Sequence, residues 1–204
     1  MGDMSFGFWD GYRPKRWLAW IVVFGGIVCL VAHPLRRADA SEDTTLAARD
    51  AFVSGYRCMV VEHLLAIHER GNRSKDDNRY FIVAMSHNPQ RFVQCIFHEI
   101  DTILYCEASS GRYGPAIGKP HSFSVSDGAE ETLTCLGYKS PYDIADFGQE
   151  IALGDPPDFR SVADLLLTTL YDVYKARPWT PTELTAPLLG LVGKTMLDPC
   201  KPVS

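Results

Sequence analysis

The sequence predicts an α+β domain, a central antiparallel sheet with a long N-terminal helix and C-terminal helices on one face. Three observations carry this. A long stretch of helical apolar spacing comes first, three strand-like runs follow it closely, and a strongly amphipathic helix lies near the C-terminus. Helices at both ends of a strand meander are not alternating βαβ units, so a parallel sheet is not expected.

The domain begins only after residues 1–40, which read as a signal peptide or a membrane anchor. Arg13, Lys15 and Arg16 precede an unbroken apolar run of 16 residues, Trp17 to Ala32. That run fits a signal-peptide core and falls short of the ~20 residues that span a bilayer comfortably. Small residues at Ala38 and Ala40 fit the cleavage pattern before Ser41. Arg36 and Arg37 lie beyond the run and oppose translocation, while Trp17 and Trp20 suit a membrane interface. Two localisations follow. The protein is periplasmic or secreted after cleavage near Ala40, or it is anchored to the inner membrane by residues 17–32.

The domain itself is expected over residues 41–193. From Thr45 to Arg70, apolar residues such as Leu46, Phe52, Tyr56, Val60 and Leu64 recur at helical spacing, and Gly71-Asn72 ends the helix. Tyr80–Met85, Arg91–His98 and Thr102–Glu107 read as strands, with His87-Asn88-Pro89-Gln90 turning between the first two. Ser109–Pro120 holds three glycines and two prolines and reads as loop. A helix is expected from Ser124 to Leu136, closed by Gly137, then a strand at Phe147–Leu153. Asp155-Pro156-Pro157-Asp158 introduces the amphipathic helix Phe159–Lys175. A last helix is predicted from Pro181, with Thr180 as cap, to Val192, leaving residues 194–204 as a tail.

Composition excludes some partners. The formal net charge is −5 with a pI near 5.6. Residues 1–40 hold five basic and three acidic residues, so the remainder carries about −7. Such a chain lacks the basic surplus that phosphate neutralisation requires, and nucleic acid is not an expected partner.

The chemistry-bearing patterns are incomplete. Gly114 and Gly118 have three residues between them and Pro120 follows Lys119, whereas a phosphate-binding loop needs four between its glycines and a hydroxyl residue after the Lys. His63 and His68 stand five apart and share no helical face, and His98-Glu99 with Asp101 reads as a polar hairpin tip. Ser86-His87, His121-Ser122 and Cys106-Glu107 are polar pairs outside any nucleophile elbow. No catalytic residue, metal site or cofactor is therefore expected.

Five cysteines follow residue 40: Cys58, Cys95, Cys106, Cys135 and Cys200. In an oxidising compartment such an odd set leaves at least one without an intramolecular bridge. In a hairpin turning at Ile100-Asp101, opposing residues sum to 201, so Cys95 faces Cys106 beside Val93, Phe97 and Leu104. Counting out from that turn puts them at a hydrogen-bonded pair, the wider kind, where a disulfide is possible but not comfortable. Two buried thiols are the alternative.

One order of residues resembles a known family. Phe92-Val93-Gln94 opens a strand and Leu104-Tyr105-Cys106-Glu107-Ala108-Ser109 returns from it. Leu133, Leu136-Gly137-Tyr138, Pro141 and Phe147 follow, then Leu170-Tyr171-Asp172-Val173-Tyr174 and Leu184. This resembles the TY-Chap group of bacterial domains, within the superfamily of YbjN-like and type III secretion chaperone-like folds, over about Leu46 to Leu189. The resemblance implies protein binding, often as a dimer, and no catalytic residues. Secretion chaperones act before export, whereas this chain carries its own export or anchor segment, so only the binding scaffold is carried over.

The expected function is a non-enzymatic, extracytoplasmic protein-interaction domain. Its candidate surface is Phe92, Gln94, Ile96 and Tyr105 on the sheet face that the helices leave open. The alternative for these four is plain core under a helix. The alternative function is a small periplasmic enzyme or ligand-binding protein with a pocket near residues 111–121.

Overall fold

The computed structural model describes residues 40–70, 78–98, 102–139, 146–196 and 199–200, with backbone alone at 40–44 and 192–196. Residues 1–39, which hold the expected leader or anchor, lie outside the described residues. So do Pro141 and the hairpin tip at Glu99–Asp101.

Helix α1 runs Ala40–Glu69, five residues earlier than its apolar periodicity alone predicts. Its buried stripe is Phe52, Val53, Tyr56, Val60, Leu64 and Ile67, spaced as one helical face. Strands β1 (Tyr80–Met85), β2 (Asn88–Phe97) and β3 (Ile103–Ala108) form the expected meander. The turn between β1 and β2 is Ser86-His87 alone. Asn88 already pairs with Met85, and Ala84 pairs with Phe92, so residues 89–91 are accommodated as an irregularity in β2. There the Asn88 side chain accepts from Gln90 N–H at 3.1 Å, the local turn chemistry that the Asn-Pro pair invited.

Helix α2 is shorter than predicted, Asp127–Cys135, and Ser126 caps it by position without a side-chain hydrogen bond. Gly137, at φ 93, turns the chain out of it, a conformation that favours glycine. Strand β4 (Phe147–Ala152) follows. Helix α3 runs Phe159–Asp172. The Asp158 carboxylate accepts from Ser161 N–H at 3.0 Å and from its hydroxyl at 2.6 Å, closing the helix N-terminus. The same bonds hold the Asp158 carboxyl below its usual range.

The predicted last helix is a correction. Residues 182–196 form strand β5 (Thr182–Ala186), a 3-10 turn (Pro187–Leu189) and strand β6 (Leu191–Met196). Thr182, Leu184 and Ala186 are buried while Glu183 and Thr185 are half-buried, a period of two rather than 3.6. Leu, Glu and Ala favour helix, but β1 offers an open edge, and Thr182–Thr185 pairs with it. Ladder pairing and burial outweigh intrinsic preference here. The domain consequently extends past residue 193. The expected tail supplies the last three residues of β6 and then Cys200, which is bridged to Cys58 on α1.

All pairings are antiparallel, in the order β4-β3-β2-β1-β5-β6. Helices α1 and α3 pack antiparallel on one face, with Arg57 ion-paired to Asp164 and Arg49 Nη1 3.4 Å from Asp172. Beneath them lie Phe81, Val83, Val93, Phe97, Leu104 and Leu184, all buried, and α2 adds Leu133. Among the described residues, no helix is long and apolar enough to cross a membrane.

Candidate functional site

Strand alternation puts every second side chain of β1, β2 and β3 on the face away from the helices. Phe92, Gln94, Ile96 and Tyr105 all lie there, and none belongs to the buried core. Three are half-buried, and Ile96 is 39% exposed, in line with an accessible face rather than a covered one. Register then builds the surface row by row. Ile96 lies between Tyr80 and Tyr105, with Glu150 beyond, and Gln94 lies between Ile82 and Glu107, with Gly148 beyond. Ile103, 36% exposed, and Ala152 continue the apolar side.

Polar contacts tie this face together. Gln94 Nε2 donates to the Glu107 carboxylate, and the Tyr105 hydroxyl donates to the same group. Burial and the neighbouring Glu107, Glu150 and Asp146 charges push the Tyr105 hydroxyl up to about 12, so it stays a donor throughout the physiological range. The Tyr105 ring lies across β4. A Cβ on Gly148 would clash with its hydroxyl oxygen, so glycine there permits the close approach. Glu107 is raised above the usual carboxylate range, first by burial and also by Asp146, while the Gln94 and Tyr105 hydrogen bonds pull it back.

That shift has a sign. A carboxyl raised in the folded state favours its neutral form, so its contribution to stability is present below about 4.5. The contribution is lost as pH rises through the folded value. Glu107→Gln is expected to stabilise the protein at pH 7 by less than ~1 kcal/mol, because solvent screens a partly exposed group. Thermal unfolding at pH 7 and pH 4 checks this. The gain should vanish at the lower pH, and an equal gain at both would refute the cause.

Behind this face, Cys95 and Cys106 are disulfide-bonded and fully buried, beside Val93, Phe97 and Leu104 as the register arithmetic predicts. The spacing class is corrected. His98 N–H bonds Ile103 O at 3.2 Å and Ser109 N–H bonds Phe92 O at 3.1 Å, which places hydrogen-bonded pairs at 98/103 and 92/109. The pair 95/106 is therefore the non-hydrogen-bonded, closer kind, with Cα atoms 4.1 Å apart. The hydrogen-bonded pair at 98/103 sets this parity and brings the sulfurs nearer. Cys106 is thereby unavailable as a thiol nucleophile.

The Cys58–Cys200 bridge is a pairing that sequence reasoning missed. Nothing local signals it, since the two are 142 residues apart and only the path of β6 brings them together. Cys200 N–H also donates to Gly55 O at 2.6 Å, fastening the C-terminal segment to α1. Cys135 is exposed and belongs to neither bridge.

The loop read as an alternative pocket forms a shallow recess of about 240 Å³. Gly111, Pro115, Ala116, Ile117 and Phe123 line most of it, with Arg112 as the charged member. His121 points elsewhere, its Nδ1 3.1 Å from His87 O. His63 Nδ1 lies 2.7 Å from Met59 O, and the His68 ring packs on Phe97 and Phe159. Among the described residues, no three His, Cys, Asp or Glu side chains gather as a metal centre. Comparison with protein-family models, curated proteins and solved structures finds no match to this chain.

Proposed function

We propose that this chain is a non-enzymatic, extracytoplasmic protein-interaction domain of the secretion chaperone-like, TY-Chap and YbjN-related kind. Its partner, a different protein or a second copy, docks on the helix-free face around Phe92, Gln94, Ile96 and Tyr105. The observation that carries this reading is the face itself. It holds exposed Ile96 and Ile103 among hydrogen-bonded polar groups, outside the core, on a rigid antiparallel sheet. Apolar anchors within a satisfied polar frame are what protein recognition uses. Export is supported by the basic, apolar, small-residue order of residues 13–40, and the two disulfides suit an oxidising compartment.

The test is capture from the native membrane and periplasmic fractions, alongside light scattering for self-association, with wild type and Ile96→Arg. Ile96 is exposed, so the substitution should leave the fold intact. Loss of the captured partner, or of the dimer, by at least about tenfold in affinity is expected, the cost of a charge in an apolar anchor position. Unchanged capture and assembly would sink the proposed face. Turnover in a hydrolase screen, abolished by changing His121, would sink the non-enzymatic reading.

A further inference from the structure

Three loops meet at one end of the sheet. Ser86 N–H, in the β1–β2 turn, donates to Pro181 O at 3.0 Å, which joins that turn to the segment after α3. His87 O lies 3.1 Å from His121 Nδ1, which joins it to the loop after β3. The Phe123 ring packs at 5.6 Å on Tyr174, and the Arg91 guanidinium lies over Phe123 at 5.0 Å, closing the cluster.

This end differs from the rest of the molecule in two independent ways. It carries the three most exposed large apolar side chains among the described residues: Ile117 at 89%, Trp179 at 80% and Tyr113 at 67%. Residues 86–91, 111–124 and 175–181 also hold Arg91, Arg112, Lys119, Lys175 and Arg177, and no Asp or Glu. A chain of net charge −5 thus keeps Asp and Glu out of the three loops that carry the protruding apolar tips, with Asp146 and Asp172 at their margins. Isolated exposed hydrophobics need no explanation, but three on adjoining loops ringed by cations do.

The path of the chain agrees. Arg57 pairs with Asp164 and Arg49 with Asp172, so α1 runs antiparallel to α3 and its first nine residues extend past the C-terminal end of α3, and the Tyr56 hydroxyl donates to Pro178 O at 2.8 Å. The N-terminal turns of α1 therefore lie toward this end.

We propose that this loop end docks on an anionic lipid bilayer. Ile117, Tyr113 and Trp179 enter the headgroup region, and the exposed Arg112, Lys119 and Lys175 meet lipid phosphates, while Arg91 and Arg177 are held over Phe123 and Tyr171. Trp and Tyr are favoured at that depth because their rings are apolar with a polar edge. Lysine and arginine gain from the negative surface potential, about fivefold each near the surface. A second protein is the less suitable occupant. Apolar tips that project from two loops, Tyr113 and Ile117 from one and Trp179 from the other, suit a deformable interface, whereas protein interfaces use a continuous packed core. The contact is additional to any anchoring by residues 17–32, and it does not depend on the sheet face proposed as the protein-binding surface.

The test is hydrogen exchange, read by mass spectrometry, on the full chain in nanodiscs. One set contains phosphatidylcholine mixed with phosphatidylglycerol and the other phosphatidylcholine alone. Amides of 111–121 and 176–181 should exchange at least about fivefold more slowly in the anionic discs, and high salt should remove the difference. Ile117→Asp combined with Trp179→Ser should restore fast exchange in those segments while β2 and β3 stay protected, showing that the fold persists. Equal exchange in both lipids overturns the proposal. So does slowing that survives the double substitution, or slowing that appears only when a native protein fraction is added.

Discussion

Replacing Cys58 and Cys200 together by serine is expected to lower unfolding free energy by about 3–5 kcal/mol. The bridge spans 142 residues of sequence, and closing so long a loop removes entropy from the unfolded chain worth ~5 kcal/mol. Cys58 is exposed and Cys200 half-buried, so the serines strand little buried polarity and the loss reports the cross-link itself. Urea unfolding under non-reducing conditions measures it. The midpoint should fall and the slope should rise, because an unconstrained unfolded chain exposes more surface. Reductant should reproduce most of the shift in wild type. A loss under ~1 kcal/mol would mean that the bridge does not tie the C-terminal segment to α1.

Phe81→Ala is expected to cost about 3–5 kcal/mol, whereas Phe92→Ala should cost ~1.5 kcal/mol or less. Phe81 is fully buried under α1, its ring 6.1 Å from His63, and truncation there leaves a cavity between rigid layers. Phe92 is half-buried on the opposite face, where solvent fills the vacated space. The pair tests the sheet's orientation directly. Comparable costs from chemical denaturation would show that the face assigned to partner binding is packed core.

Much of this architecture is readable from side-chain periodicity. The face shared by Val93, Cys95, Phe97, Leu104 and Cys106 follows from alternation of two, and the register follows from one hairpin sum. That same alternation places Phe92, Gln94, Ile96 and Tyr105 together on the other side. The hairpin's hydrogen-bond parity was not readable, because it depends on loop geometry that Ile100-Asp101 alone does not specify. The hydrogen bonds linking Gln94, Tyr105 and Glu107 follow from cross-strand register, but the raised Glu107 carboxyl depends on burial that no local pattern states.

The C-terminal region shows the other limit. Thr182–Ala186 carries helix-favouring residues, yet it forms strand because the edge of β1 is open and buries alternate side chains. Cys200 reaches Cys58 only because β6 runs beside β5 and returns the chain to α1. The cationic loop end is likewise a product of assembly, since residues 86–91, 111–124 and 175–181 are distant in sequence and unremarkable singly. What the sequence by itself determined was the α+β class, the central meander and its two faces, because side-chain periods are local properties of the chain. What only the tertiary structure decided was the fate of residues 182–200, the second disulfide and the convergence of the loops. Those depend on which edge is open and which ends coincide, and such facts exist only once distant segments are packed together.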